Sequence, residues 1–314
     1  MITEALIDEA SFELLRRSMK EIPEDWEVAY RDAYKEETLE MRRAYDYMFA
    51  AMNNARREGL SICLDSGSIC FYITLGTAAQ IDPKINFWRA LARSTMKATK
   101  DGILNPYTVD PLTRENTHTN VGVNMPSLEY NTVTEEECIE ITSVLKGAGA
   151  ELSGSRFRMM AAADGLLGIK RFVLDKVIHA TRYGWSCPPN IYGIGVGGVM
   201  AIASRFAMMA ATLRPYGSRH PMKKIAELEE ELKENINSIG VGAMGNEGNI
   251  TALDVHIEYS YGQSALLPVA IVSQCFVPHR ATARICSDGA VEYHPYPKLW
   301  FTELRKTIPE FVRR

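Results

Sequence analysis

Apolar and polar positions recur with two different periods along this chain. Over residues 1–60 apolar side chains return at steps of three and four, as Ala44, Met48, Met52 and Ala55 do, which predicts helices. Similar patterns predict helices over 85–100, from the acidic run at 134–137, and over 159–183, 197–213 and 226–237. Short runs bounded by turn residues predict strands within 59–76 and over 253–259, 267–274 and 281–286. The mixture predicts an α+β fold, with mixed or antiparallel sheets flanked by many helices.

No repeat or low-complexity linker divides the sequence. We expect an N-terminal helical segment, residues 1–60, to pack on a core formed by 61–314 as one structural unit. Residues 101–126 contain three prolines and many Asn and Thr residues, which is typical of a functional loop.

Composition narrows the class of protein. The chain has 314 residues, of which 46% are hydrophobic and 24% charged, as in ordinary globular proteins. A net charge of −4 without a basic stripe argues against nucleic-acid binding. No long apolar run or signal-like amino terminus is present, so we expect a cytoplasmic protein with no membrane partner. Six cysteines are too few for a disulfide scaffold, and Cys70, Cys138 and Cys286 are predicted to pack as small hydrophobic residues.

Three other cysteines lie in or near turns: Cys63 before Asp65-Ser66-Gly67, Cys187 before two prolines, and Cys275 after Gln274. Their wide separation excludes a local zinc knuckle, so a shared metal centre requires the fold to bring three distant segments together. A [4Fe-4S] cluster held by only three thiolates would keep one iron open to substrate. Such an iron is a Lewis acid for a hydroxyl or carboxylate group.

The sequence around these cysteines resembles that of class I iron–sulfur fumarases and tartrate dehydratases. Cys63-Leu64-Asp65-Ser66-Gly67 is close to the family's CQDTG, and Cys187-Pro188-Pro189 with the glycines that follow it is similar to its CPP and glycine run. Four further blocks occur in the family's order: Asp110 through Asn116-Thr117-His118-Thr119-Asn120, Lys146-Gly147-Ala148-Gly149-Ala150-Glu151, the glycine-rich approach from Asn237 to Thr251-Ala252-Leu253-Asp254-Val255, and Leu267-Pro268-Val269 ahead of Cys275.

The resemblance implies the fold of the class I fumarase alpha domain and a hydro-lyase that adds water to, or removes it from, a small carboxylic acid. It also implies a separate beta subunit of about 200 residues, an ordinary domain size, in an alpha-beta heterotetramer. Carried over by motif, the cluster ligands are Cys63, Cys187 and Cys275. The implied catalytic residues are Asp65, His118 and Gln263, and the implied substrate-binding residues are Asn105, Asn116, Gly149 and Arg280.

Several positions depart from the family pattern. Leu64 replaces a glutamine, Leu104-Asn105-Pro106-Tyr107 replaces a motif with a substrate-binding arginine, and Gln263 replaces a histidine. Glutamine cannot titrate near neutral pH. Ala150 and Leu152 replace polar residues, whereas His118 replaces a glycine. We therefore expect a substrate other than fumarate or tartrate that is larger, more apolar or carries a single carboxylate.

Alternatives stay open at this point. The chain could be a non-catalytic or redox-sensing iron–sulfur homologue, or a lyase that eliminates a different leaving group. Asp65 could simply cap a turn, and Arg280 could be a surface charge. The glycines at 193, 195, 197 and 198 lack nucleotide-loop spacing and are predicted to give the backbone room near the cluster.

Overall fold

A computed structural model describes residues 1–304 of the chain. Its helices are α1 (Glu4–Lys20), α2 (Glu24–Glu36), α3 (Leu39–Glu58), α4 (Phe87–Lys100), α5 (Ala148–Gly154), α6 (Gly165–Tyr183), α7 (Met200–Thr212), α8 (Lys223–Asn237) and α9 (Trp300–Leu304). Its strands are β1 (Ser68–Gly76), β2 (Ser127–Val133), β3 (Cys138–Lys146), β4 (Arg156–Ala161), β5 (Asn190–Gly197), β6 (Ala252–Ser260), β7 (Leu266–Gln274), β8 (His279–Cys286) and β9 (Val291–His294). No helix in this described part is long and apolar enough to cross a bilayer.

The chain divides into two compact units. Within the described residues, the first unit contains Met1–Glu21, Ser66–Leu145 and residues 279–304, and the second contains Ile22–Asp65 and Lys146–Pro278. The N-terminal helices are divided between the units, with α1 in the first and α2 and α3 in the second. That residues 1–60 pack with 61–314 as one structural unit stays a prediction.

The first unit is built on a mixed five-stranded sheet with the order β2-β1-β3-β8-β9. Strands β1 and β2 run parallel, whereas β3, β8 and β9 are joined in antiparallel pairs. Helices α1 and α4 bury Leu14, Leu15 and Leu91 in a core shared with Phe71 and Ile141 of the sheet. Thr3 caps α1, since its Oγ1 accepts a hydrogen bond from Leu6 N at 3.2 Å.

The second unit contains a four-stranded sheet with the order β4-β7-β5-β6, in which only β5 and β6 are parallel. Helices α6 and α8 bury Phe172, Val177 and Leu232 in a core shared with Tyr192 and Val255 of the sheet. A separate aromatic cluster packs α2 and α3 around Tyr30, Tyr45 and Phe276. The two sheets confirm the predicted α+β fold.

Glycines of β5 let helix α7 lie directly on the strand. A side chain at Gly193 would clash with the Ala207 carbonyl, and one at Gly195 with the Ala203 carbonyl. Small residues on α7, including Ala203, Ala207 and Ala211, complete this contact. The structural role of these two glycines is therefore close helix packing, and the prediction that they make room near a cluster is not needed to explain them.

Two sequence-based predictions fail in the region of residues 134–161. The acidic run does not begin a helix, because Glu135 has φ 62° in a turn that leads into β3. The alternating Ile139 and Ile141 of that strand are fully buried, as expected of a strand within a sheet. The helix predicted from residue 159 begins only at Gly165, because strand β4 and a short 3-10 turn precede it.

Cys138 and Cys286 are joined by a disulfide. They lie directly opposite each other on the antiparallel strands β3 and β8. The prediction that both are unpaired small hydrophobic residues is therefore wrong, because the strand register that pairs them cannot be seen in the local sequence. Cys70 is half-buried and not disulfide-bonded.

Candidate metal centre

Strand pairing places two of the candidate ligands at one end of the second unit's sheet. Strand β5 begins with Asn190 and β7 ends with Gln274, and Ile191 pairs with Gln274 in the antiparallel register. Cys187 therefore lies just before this pairing begins and Cys275 just after it ends. The Phe276 N–H donates to the Cys187 carbonyl oxygen at 3.1 Å, which joins the two segments directly.

The third candidate ligand, Cys63, follows α3 and lies two residues before Asp65. The Asp65 N–H points to the Cys63 sulfur at 3.4 Å, and its carboxylate Oδ2 accepts a hydrogen bond from Ala148 N at 2.7 Å. Ala148 begins α5, so Asp65 satisfies a backbone donor at the start of that helix. The capping role considered for Asp65 is thus present, with the helix α5 as its partner instead of a local turn.

The electrostatics show that the three thiols influence one another. The pKa of the Cys275 thiol is raised to about 12, chiefly by burial and in smaller part by Cys187 and Cys63, while the Lys146 ammonium and the hydrogen bond to Val277 oppose the rise. Although Cys187 is exposed, desolvation raises the pKa of its thiol, with added contributions from Cys63 and Asp65. Without a cation beside them these thiols favour the protonated form, and binding of a metal would displace their protons.

Two glycines bring helix α5 close to the thiols. A Cβ at Gly147 would lie 3.4 Å from Asp65 Oδ2 and 3.6 Å from Cys275 Sγ, so a side chain there would fill the space beside both groups. A side chain at Gly149 would clash with the carbonyl of Trp185, two residues before Cys187. Gly149 therefore allows α5 to pack against the Cys187 segment.

Lys146 and Asn190 contribute to this site and were not identified from the sequence. Lys146 is 2% exposed, its Nζ donates to Ser273 O at 2.7 Å, and its charge lowers the pKa of Cys275. Asn190 is fully buried and bonds both cysteine segments. Two features of the sequence could have indicated them. Lys146 is the first residue of the 146–151 motif, and Asn190 is a polar residue at the start of the apolar run after Cys187.

Cys187 has a left-handed backbone conformation, with φ 48°. In a residue other than glycine this conformation costs about 1–3 kcal/mol of strain, and it persists only where surrounding contacts enforce it.

Among residues 1–304, no set of three or more His, Cys, Asp or Glu side chains is arranged so that it could hold a single metal ion. The thiols thus do not form a compact one-ion site.

Asn105, Asn116 and His118 belong to the first unit, in the polar loop between α4 and β2. Asn116 donates to Pro106 O at 2.7 Å and accepts from His118 N at 2.7 Å, while His118 is exposed with φ 57°. Asn120 is 1% exposed, accepts from Tyr107 N and donates to the carbonyl oxygen of Asn105. The predicted functional loop is therefore an ordered segment stabilised by its own side chains.

Arg280 also belongs to the first unit and lies on β8. It is 4% exposed, its Nε donates to Pro295 O at 2.7 Å, and its guanidinium lies 5.7 Å from the Tyr296 ring centroid. The interpretation of Arg280 as a surface charge is therefore wrong.

Gln263 lies in the turn between β6 and β7. It is exposed, and its Oε1 accepts from Ala265 N at 2.6 Å. Strand β7 separates Gln263 from Cys275, and at the usual rise per residue its nine residues span about 30 Å. Within one chain the structure does not bring Gln263 to the thiols, and its catalytic role stays a prediction.

The second unit thus groups three free cysteines with the carboxylate of Asp65. The family model described as Fumarate hydratase (Fumerase) matches residues 8–284. The chain therefore belongs to the fumarate hydratase family, a family of hydro-lyases.

Individual relatives agree with this assignment. The "Putative L(+)-tartrate dehydratase subunit alpha" of Methanocaldococcus jannaschii is 39% identical over 288 residues, which cover 90% of this chain and 99% of that protein. The L(+)-tartrate dehydratase subunit alpha of an Escherichia coli strain is 30% identical over 248 residues, or 79% of this chain and 80% of that subunit. The subunit of the same name from Shigella boydii is 29% identical over the same length.

Proposed function

We propose that this chain is the alpha subunit of a [4Fe-4S]-dependent hydro-lyase in the cytoplasm. The observation that carries the proposal is the grouping of Cys63, Cys187 and Cys275 from three separate segments of the second unit, with Asp65 beside them. Thiolates are the usual ligands of iron–sulfur clusters. The space beside Gly147 borders both Cys275 and Asp65, since a Cβ there would lie 3.6 Å from Cys275 Sγ and 3.4 Å from Asp65 Oδ2. The donor set and this space fit the cofactor.

When bound, a cluster with one iron that lacks a cysteine ligand supplies a Lewis acid for a substrate hydroxyl and an adjacent carboxylate. Asp65 is held in orientation by Ala148 N, so its carboxylate can accept the proton from the neighbouring carbon as the hydroxyl group leaves. A residue of the beta subunit assists it. Addition of water follows the reverse course. His118 and Gln263 are proposed as further catalytic residues, and Asn105, Asn116, Gly149 and Arg280 as substrate-binding residues, as the family motifs imply.

The substrate is proposed to be a hydroxy acid other than malate or tartrate, the hydrated substrates implied by the family names. Leu64, beside Cys63, is 77% exposed and offers a hydrocarbon surface where the family motif has an amide. Loss of a polar partner for a buried substrate group costs about 1–3 kcal/mol. L(+)-tartrate is nevertheless the first compound to test, because it is named in the relatives' descriptions.

A separate beta subunit is the proposed partner, in an alpha-beta heterotetramer. The relatives are named as alpha subunits, and large apolar side chains near the cysteine segments are exposed: Trp185 at 53%, Leu152 at 61% and Met244 at 48%. Exposed apolar groups of this kind are typical of surfaces that another protein covers.

The proposal is tested by anaerobic purification with any co-encoded beta subunit and EPR spectroscopy of the mildly oxidised protein. We expect a [3Fe-4S] signal that disappears when iron and reductant are added, because the fourth iron has no cysteine ligand. Absence of a cluster, or a cluster that does not lose iron, would contradict the dehydratase assignment. Turnover of fumarate or tartrate with kcat/KM of about 10⁵ M⁻¹s⁻¹ or more would contradict the substrate proposal alone.

A further inference from the structure

Asn190 is a fully buried polar residue at the first position of β5, three residues after Cys187. Its Nδ2 lies within hydrogen-bond range of three carbonyl oxygens: Ser186 at 2.7 Å, Cys187 at 3.4 Å and Gln274 at 3.2 Å. Its Oδ1 faces the hydroxyl groups of Ser186 at 3.1 Å and Tyr192 at 3.2 Å. The amide group is therefore satisfied on both sides.

These contacts join two segments that are far apart in sequence. Ser186 and Cys187 belong to one cysteine segment, and Gln274 directly precedes Cys275 in the other. The backbone bond from Phe276 N to Cys187 O is a second link between the same segments. Asn190 follows the Cys187 segment, and its side chain donates to the carbonyl oxygen of Gln274, the residue next to Cys275.

Phe276, on the far side of Cys275, is held independently. Its ring stacks on Tyr30 with centroids 4.5 Å apart, and its carbonyl oxygen accepts from the Tyr30 hydroxyl. The Cys275 backbone is thus fixed on its N-terminal side by Asn190 and on its C-terminal side by Tyr30. Of these two anchors, only Asn190 also restrains Cys187, whose left-handed conformation needs such restraint.

We infer that Asn190 is a positioning residue that holds the Cys187 and Cys275 segments at the separation that the cluster requires. The inference rests on the proposed function, because it assigns Asn190 a task toward the proposed cofactor. In the cluster-free protein the same contacts restrain the two backbones, so the inference can also be tested without iron.

The test compares Asn190→Ala and the milder Asn190→Ser with two controls in the full chain. Asn237→Ala removes another asparagine with three side-chain bonds to backbone groups, to Thr251 N and to Ala252 N and O. These groups belong to neither cysteine segment, although Thr251 O accepts from Asn190 N at 3.0 Å, so this control tests whether loosening the neighbouring backbone is enough. Tyr192→Phe removes one bond to Asn190 Oδ1 and leaves its three donor contacts intact. If Asn190→Ala does not fold, Asn190→Ser supplies the comparison.

The first measurement is the rate at which a chelator removes iron from the anaerobically loaded protein. We expect removal to be about tenfold faster in Asn190→Ala, which corresponds to about 1.4 kcal/mol, and less accelerated in Asn190→Ser. Asn237→Ala and Tyr192→Phe should release iron at the wild-type rate even where the melting temperature falls. Equal rates in all variants, or equal acceleration in Asn190→Ala and Asn237→Ala, would overturn the inference.

The second measurement is hydrogen exchange of the Phe276 amide in the cluster-free protein. We expect faster exchange in the Asn190 variants than in Asn237→Ala, because the Phe276 bond to Cys187 opens more often. If wild-type protein binds no cluster, the proposed function fails while this exchange still decides whether Asn190 positions the segments. If wild-type protein binds a cluster and Phe276 exchange is unchanged in the Asn190 variants, the positioning role is refuted and the proposed function stands.

Discussion

Two antiparallel strand pairs bring cysteines together, with opposite results. In the first unit, Cys138 and Cys286 form the last opposed pair of the β3–β8 ladder and are joined by a disulfide. In the second unit, Cys187 and Cys275 flank the end of the β5–β7 ladder and stay free. The two pairs differ in where the cysteines lie relative to the strand pairing. Residues that oppose each other within a ladder hold their side chains close together, whereas residues beyond its end do not have to.

Beyond the end of a ladder the two backbones can diverge and admit other groups. Here the space is shared with a third cysteine, Cys63, and with Asp65, while Gly147 contributes no side chain. The pairing of β5 with β7 thus places Cys187 and Cys275 at the same end of the sheet without joining them in a disulfide. A paired cysteine inside the ladder contributes to stability, and an open cysteine beyond it is available for chemistry.

The largest effect is expected from removal of one thiol from the group formed by Cys63, Cys187 and Cys275, called the open group below. Cys275→Ser should abolish most iron binding and lower kcat/KM at least about 1000-fold, equivalent to about 4 kcal/mol of transition-state stabilisation. Iron analysis and a hydratase assay under anaerobic conditions measure both quantities. Cys70→Ser is the matched control, because Cys70 lies on β1 outside both groups and its replacement should retain the iron. Iron content unaffected by Cys275→Ser would remove the distinction between the two regions.

Removal of the paired cysteines should affect stability alone. The disulfide closes a sequence separation of 148 residues, so the double variant Cys138→Ala/Cys286→Ala is expected to lose about 2–4 kcal/mol of unfolding free energy. Urea unfolding of the cluster-free protein, with and without reductant, measures this loss. Wild-type protein in reductant should approach the variant. Loss of iron from the double variant would show that the paired cysteines also support the metal site.

The smallest effect is expected from restoring a polar side chain beside the open group. Leu64→Gln should raise kcat/KM for a small dicarboxylic acid relative to a monocarboxylic one by about tenfold, since a gained hydrogen bond to a charged group contributes about 1.5–3 kcal/mol. Steady-state assays with paired substrates measure the ratio. Leu152→Gln, at another exposed apolar position, should leave it unchanged. An unchanged ratio in Leu64→Gln would exclude this side chain from specificity.

The sequence patterns identified elements whose periodicity is strong. Helices α7 and α8 and strands β6, β7 and β8 lie where apolar spacing places them. The acidic run before β3 was misleading, because charged residues favour a helix start but also occur in turns, and Glu135 adopts a turn conformation. The family motifs likewise selected the three cysteines and Asp65 from local residue identity, and their roles stay a prediction.

Contacts between distant segments could not be predicted in this way. The role of Asn190 depends on the register of β5 with β7, and the disulfide depends on that of β3 with β8. Conversely, Gln263 is near Cys275 in sequence but at the other end of β7. Lys146 acts on Cys275 only because its side chain is buried beside Ser273 O. Register and burial arise from the complete fold.

The close contact between β5 and α7 limits how parts of this protein can be exchanged with its relatives. Gly193 and Gly195 of the strand have no side chain, and Ala203, Ala207 and Ala211 of the helix have only methyl groups, so few side-chain atoms could adjust to a changed helix position. A chimera that imports the strand without its helix would therefore join two surfaces that do not match. Residues 186–212 should be transferred as a single cassette, because Asn190 at the start of β5 is bonded to Ser186 and lies within hydrogen-bond range of the Cys187 carbonyl oxygen.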